Sequence, residues 1–76
     1  MTGLLSLEAI KTLEGIFPSN SIWTYKDKTY QVNGVLPNNR IQFEDEWYPT
    51  VRYTCYPADG LVFYRSTKEF HEKFIP

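Results

Sequence analysis

Between residues 4 and 13 the apolar positions recur in steps of three. Leu4, Leu7, Ile10 and Leu13 form the stripe, and Glu8, Lys11 and Glu14 fall on the other side. A step of three lies close to the helical period, so the pattern predicts one short amphipathic helix. Ser6 is its expected N-cap with Glu8 in the first turn, and Gly15 and Pro18 stand where helices commonly end. Ile16 and Phe17 then anchor the exit.

From Ile22 onward the texture changes to β-branched and aromatic residues that alternate with polar ones, the pattern of strands on a half-buried sheet. Residues 22–25 and 29–36 flank Lys26-Asp27-Lys28, a charged tip suited to a tight hairpin. In the second run Tyr30, Val32 and Leu36 are expected on one side, with Asn33-Gly34 as a bulge or bend. Pro37-Asn38-Asn39 predicts a turn, followed by a separate short strand over 41–43. Glu44-Asp45-Glu46 predicts the next loop. Residues 47–56 are the longest strand candidate, with Trp47, Val51, Tyr53 and Cys55 expected on one face and Tyr48, Thr50, Arg52, Thr54 and Tyr56 on the other. Pro49 makes the start of that run an edge or an irregularity. Pro57-Ala58-Asp59-Gly60 is the strongest turn signal and predicts a hairpin into 61–65, with Gly60 at positive φ.

Ser66-Thr67-Lys68-Glu69 reads as a capping box, in which the serine oxygen and the glutamate carboxylate each take a free amide at a helix start. Phe70 and Phe74 follow one helical turn apart, facing the core. The expectation is therefore one domain over 1–76, with a helical segment 1–18, an antiparallel sheet 22–65 and a C-terminal helix 66–76. Its class is α+β, with about five strands curled enough to make an SH3-like partial barrel.

Composition narrows the function classes. At 76 residues the chain has room for one modest core, since domains of this size bury only about 60% of the surface their unfolded chains expose. With 42% hydrophobic and 22% charged residues it has the balance of a folded protein, and an aromatic share of 17% lets few side chains fill that core. A net charge of -1 and a pI near 5.7 give no global attraction to nucleic acid or to acidic membrane. A single cysteine, Cys55, provides no internal disulfide and fits a reducing compartment. Residues 1–7 carry no basic n-region, and no apolar run approaches the roughly 20 residues of a membrane span. The expected location is cytoplasmic.

Catalytic chemistry is sparse. Nucleophilic catalysis needs a Ser, Cys or Thr beside a base, and the one histidine, His71, sits in the last helix near Glu69 and Glu72, as a surface histidine would. One His and one Cys do not supply the three or four ligands zinc takes. Glu44, Asp45 and Glu46 are the candidate acid–base pair or hard-cation ligands, yet adjacent carboxylates in a turn are far more often a solvated loop. Neither Asn33-Gly34 nor Asp59-Gly60 forms a phosphate cradle. No catalytic residue, metal or cofactor is expected.

What the chain displays is aromatic. Trp23, Tyr25, Tyr48, Tyr56 and Tyr64 alternate with positions expected to be buried, and a core this small does not hold them all. With Tyr48, Arg52 and Tyr56 on one outer face, Arg52 would lie between two rings, an arrangement that suits protein hot spots and unpaired bases alike. The other reading is that these tyrosines pack across strands and merely cover the sheet. The candidate partner-binding surface is thus Tyr48, Arg52 and Tyr56, with Trp47 and the acidic entry loop Glu44, Asp45 and Glu46. Lys26, Lys28 and Arg40 read as a solvated rim, and Arg65 as a structural cation holding a carboxylate or carbonyl.

The segment 22–74 resembles a small domain of unknown function found in bacterial and phage proteins, whose members run Tyr-x-His-Tyr-Lys-Gly, Tyr-x-Val-x-Gly, Val-x-Tyr, then Trp or Phe, x, Arg before a terminal Phe. The matching residues are Tyr25, Lys26, Tyr30, Val32, Gly34, Val51, Tyr53, Phe63, Arg65 and Phe70. Thr24 stands in the histidine position, Asp27 replaces the glycine, and the N-terminal helix lies outside the pattern. The resemblance implies a compact curled sheet and an origin among phage or bacterial accessory genes; it implies no activity. The resulting expectation is a non-catalytic binding module that binds and modulates a host protein, for instance as an inhibitor of a host or defence factor. The protein partner is favoured over single-stranded nucleic acid, a homodimer is open, no membrane partner is expected, and a small enzyme is the distant alternative.

Overall fold

The computed structural model describes residues 6–76; Leu4, the first member of the predicted stripe, lies outside them. Helix α1 (Leu7–Ile16) begins at Ser6, whose Oγ accepts from the Ala9 amide at 3.1 Å, as the sequence predicts. None of its residues is fully buried, and Leu7 and Ile16 stay exposed. Its anchor is Phe17, immediately past its C-terminal end: the Phe17 amide donates to the Leu13 carbonyl at 2.8 Å and the Phe17 ring enters the core.

The sheet is built from four strands, β1 (Ile22–Tyr25), β2 (Lys28–Phe43), β3 (Glu46–Cys55) and β4 (Val62–Ser66), in an antiparallel meander with spatial order β1-β2-β3-β4. The architecture is α+β, with the sheet curled into half a barrel. Two hairpins close through two-residue tips. Lys26 and Asp27 have φ of 52° and 64°, and Glu44 and Asp45 have 51° and 72°. Positive φ at both central residues matches the right-handed twist of the flanking strands. Glu46 is already the first residue of β3, paired with Phe43, so the predicted three-residue loop is shorter by one.

The strand count is four where five are expected from the sequence, and β2 accounts for the difference. Pro37-Asn38-Asn39 does not end the strand. Leu36 pairs with Thr50 and Arg40 with Pro49, so three residues of β2 bow out opposite one step of β3. Pro49 has no amide to offer a ladder there, and the Thr50 hydroxyl donates to the Asn39 carbonyl at 2.8 Å, clamping the irregularity. A turn-rich tripeptide is thus absorbed as a wide bulge because the strand resumes pairing with the same neighbour.

The Asn33-Gly34 bulge is present as expected. Val32 pairs with Tyr53 and Gly34 with Arg52, leaving Asn33 extra. Its consequence is a change of phase: Val35, opposite Val51, packs against the core, and Leu36 does not share the side of Val32.

Helix α2 (Thr67–Lys73) starts at Ser66, which is fully buried and whose Oγ accepts from the Glu69 amide at 2.9 Å. Only half of the expected capping box forms. The Glu69 carboxylate turns away from the helix start and accepts from Arg65 Nη1 at 2.6 Å and Lys73 Nζ at 2.9 Å. Phe70 and Phe74 stack with centroids 4.0 Å apart. Around them gather Phe17, Trp23, Val32, Val51 and Tyr53, with Tyr25, Tyr30 and Phe63 packed at the margin. Edge-to-face contacts dominate this cluster, including Trp23 on Phe70 at 5.1 Å and Tyr53 on Phe70 at 5.1 Å. After α2 the chain reaches back to β1, where Thr24 and Ile75 exchange amide–carbonyl bonds of 2.7 and 2.9 Å.

Candidate functional site

The cross-strand register sorts the sheet into two faces. Val32, Tyr53 and Phe63 form one row, and Val35, Val51 and Arg65 another; both rows look toward Phe17, Phe70 and Phe74, so both helical ends pack on this side. On the opposite face the rows are Ile22, Gln31, Thr54, Val62 and Gly34, Arg52, Tyr64. There Ile22, Val62 and Tyr64 are 40%, 48% and 54% exposed, and neither described helix covers them. Arg52 lies directly across from Tyr64, with Gly34 on its other flank, where the Ser19 hydroxyl stands 4.0 Å from the place a Cβ would take. Among the described residues Arg52 has no ion-pair partner.

The expected site residues separate. Arg52 and Tyr56 are exposed, as expected, but four positions apart on an extended chain is about 13 Å, so Tyr56 is not the ring beside the guanidinium. That ring belongs to Tyr64. Tyr48, expected on the outer face, is instead turned to the helix side, half-buried in a groove with Leu13, Ile16, Phe17, Thr67 and His71. Trp47, expected on the core-facing side, is 55% exposed. The bow at 37–39 resets the alternation between Tyr48 and Val51, which is why Thr50 and Val51, adjacent in sequence, are both buried. Glu44 and Asp45 occupy the hairpin tip, and Glu46 precedes Arg52 by six positions, about 20 Å. The acidic loop therefore does not adjoin Arg52.

Behind β4 lies a polar cluster that fixes its position. Arg65 Nε donates to the Tyr53 hydroxyl at 2.7 Å, and its guanidinium sits 5.4 Å from the ring centroids of Tyr25 and Phe74. The bond from Lys73, joined by the nearby Arg65 charge, holds the Glu69 carboxyl below its ordinary range. Burial pushes the Tyr53 phenol up in spite of Arg65. Arg65 is thus the structural cation its place in the sequence predicts.

Other reactive groups are quiet. Cys55 is half-buried, and burial together with Asp59 pushes its thiol up, away from the thiolate. His71 sits edge-on to Phe17 at 6.1 Å on the rim of the groove. That groove encloses about 210 Å³, smaller than the roughly 300–1,000 Å³ of small-molecule sites. Among the described residues no three His, Cys, Asp or Glu side chains come together to hold a metal. No described helix is long and apolar enough to cross a membrane.

Compared with protein-family models, with curated proteins and with solved structures, the chain matches none.

Sequence reasoning passes over Tyr64 and Val62 as site residues. The signal is present in the Pro57–Gly60 turn: counting outward from it to the observed pairs Thr54–Val62 and Arg52–Tyr64 places the tyrosine beside the arginine.

Proposed function

We propose that this chain is a non-catalytic protein-binding module whose contact surface is the outer face of the sheet, centred on Arg52 and Tyr64. One observation carries the reading: an arginine with no ion-pair partner among the described residues stands beside a half-exposed tyrosine, flanked by exposed Val62 and Ile22, on a face that neither described helix covers. Tyrosine and arginine are the residue types that most often dominate protein interfaces. The guanidinium calls for a carboxylate on the partner, and the apolar neighbours for apolar side chains around it. Stacking of an unpaired base on Tyr64 beside Arg52 uses the same pair, but net charge -1 supplies little attraction to a phosphate chain.

The test compares the chain with R52A/Y64A, both immobilised, in capture from bacterial lysate. Retention of a stoichiometric protein by the parent and at least tenfold less by the variant is expected, with short single-stranded oligonucleotides giving no anisotropy change at low salt. Equal retention by both overturns the reading, as does oligonucleotide binding that the variant loses.

A further inference from the structure

The two edges of this sheet are treated differently. At one edge Ile75 folds back on β1 and exchanges both backbone bonds with Thr24. At the other, β4 has no neighbour beyond it among the described residues. Proteins blunt an open edge with proline, lysine, a bulge or a covering segment, because a row of unpaired amides and carbonyls is a template for another strand. Val62-Phe63-Tyr64-Arg65-Ser66 contains no proline or lysine and pairs with β3 without a register break. Arg65, the one charge in it, is already engaged by Tyr53 and Glu69 on the helix side. Both ends of the strand are also tied down, by the Asp59 carboxylate accepting from the Leu61 amide at 3.1 Å and by Ser66 capping α2.

We propose that β4 is the docking edge of the module, and that the occupant is an extended segment of the partner protein, added as a fifth strand. This rests on the protein-binding reading above and specifies its partner. Charge argues for a segment of another protein over a second copy of this chain: β4 holds no aspartate or glutamate, so a second copy paired edge to edge would bring Arg52 no carboxylate. An extended segment hydrogen-bonds along the five residues of β4, about 17 Å, and lays alternate side chains over Val62 and Tyr64. Charge sets the rest of its chemistry. An added strand stands two strand spacings from β3, about 9.5 Å, a gap that Arg52 and an aspartate or glutamate of the segment span together. The occupant therefore alternates apolar side chains on its outer face with one carboxylate in the same row, level with Tyr64.

The experiment selects linear 12-residue peptides from a displayed library on the purified chain, then measures the synthetic winners by hydrogen exchange. The expected winners alternate apolar residues with one acidic residue, bind with micromolar Kd, and slow exchange of amides within residues 62–66 at least tenfold. N-methylation of the peptide at every second position abolishes binding in one phase and not in the other, as only strand pairing requires. R52A weakens binding at least tenfold for the acidic peptide and leaves its Gln counterpart unchanged. Peptides that bind without protecting 62–66, or tolerate N-methylation in both phases, overturn the proposal. So does failure to select any peptide while lysate capture still depends on Arg52 and Tyr64, in which case the module binds a folded surface. A concentration-dependent dimer with protected β4 amides also overturns it, by showing a second copy at the edge.

Discussion

Arg65 reaches diagonally across the β3–β4 pair to the Tyr53 hydroxyl, Nε to Oη 2.7 Å, and with its other arm holds Glu69 of α2 at 2.6 Å. One side chain thereby ties the edge strand, the central strand and the C-terminal helix together. Tyr64 precedes Arg65 and points the other way, so the strand that this inner cluster ties down is the one that carries the outer ring.

Acid should loosen that tie. The Glu69 carboxyl is held below its ordinary value of 4.5, first by the Lys73 bond and then by the Arg65 charge, so the folded chain binds fewer protons there than the unfolded one. The resulting stability is fully present above about pH 4.5 and is lost as the pH falls through the depressed folded value. E69Q should cost roughly 1–2 kcal/mol at pH 7, as expected for hydrogen bonds to a charged group. The same variant should flatten the acid limb of stability against pH. Urea denaturation at pH 3, 4, 5 and 7 reads both; an acid slope identical in parent and variant would show that Glu69 is not the group responsible.

Thr50 carries a different prediction. Its hydroxyl clamps the bow in β2 through Asn39, and its side chain is buried. T50V keeps the shape and removes the bond, so stability should fall by about 1 kcal/mol. Hydrogen exchange should accelerate selectively in residues 40–43 and 46–48, the part of the hairpin beyond the clamp. Unchanged protection there would mean that Pro49 alone positions the bow.

The acidic hairpin tip offers a gain. Glu44 and Asp45 both adopt positive φ, which costs residues with a Cβ on the order of 1 kcal/mol or more each, and Asn-Gly is the pair such a turn favours. E44N/D45G should therefore stabilise the chain by roughly 1 kcal/mol, seen as a higher urea midpoint at unchanged m. Because the tip lies well away from Arg52 and β4, capture by the outer face should be unaffected.

Much of this molecule is legible one segment at a time. Both N-caps, the two short helices, the hairpin tips, the Asn33 bulge and the stacked Phe70–Phe74 pair depend on residues within a few positions of one another. Features that depend on register across the sheet are not legible in this way. The bulge at Asn33 is readable from Asn33-Gly34, yet the shift it imposes on Leu36 emerges only from the pairing with β3. Pro37-Asn38-Asn39 has the composition of a turn, and only its pairing partners show that the strand continues.

The sequence by itself determined the α+β class, the two helices that bracket the sheet and the aromatic inventory, because helical period, strand alternation and turn chemistry are local properties of a chain. Tertiary structure decided which aromatics face outward. The bow at 37–39 sets this: three residues of β2 pass one step of β3 at Pro49 and Thr50, with the Thr50 hydroxyl bonded to Asn39, and beyond it Tyr48 lies toward the helices and Trp47 at the surface. With a side-chain period of two, any odd number of extra residues inverts the face of all that lies beyond it, and that number is set by pairing with partner residues 9 and 14 positions away, Arg40 with Pro49 and Leu36 with Thr50.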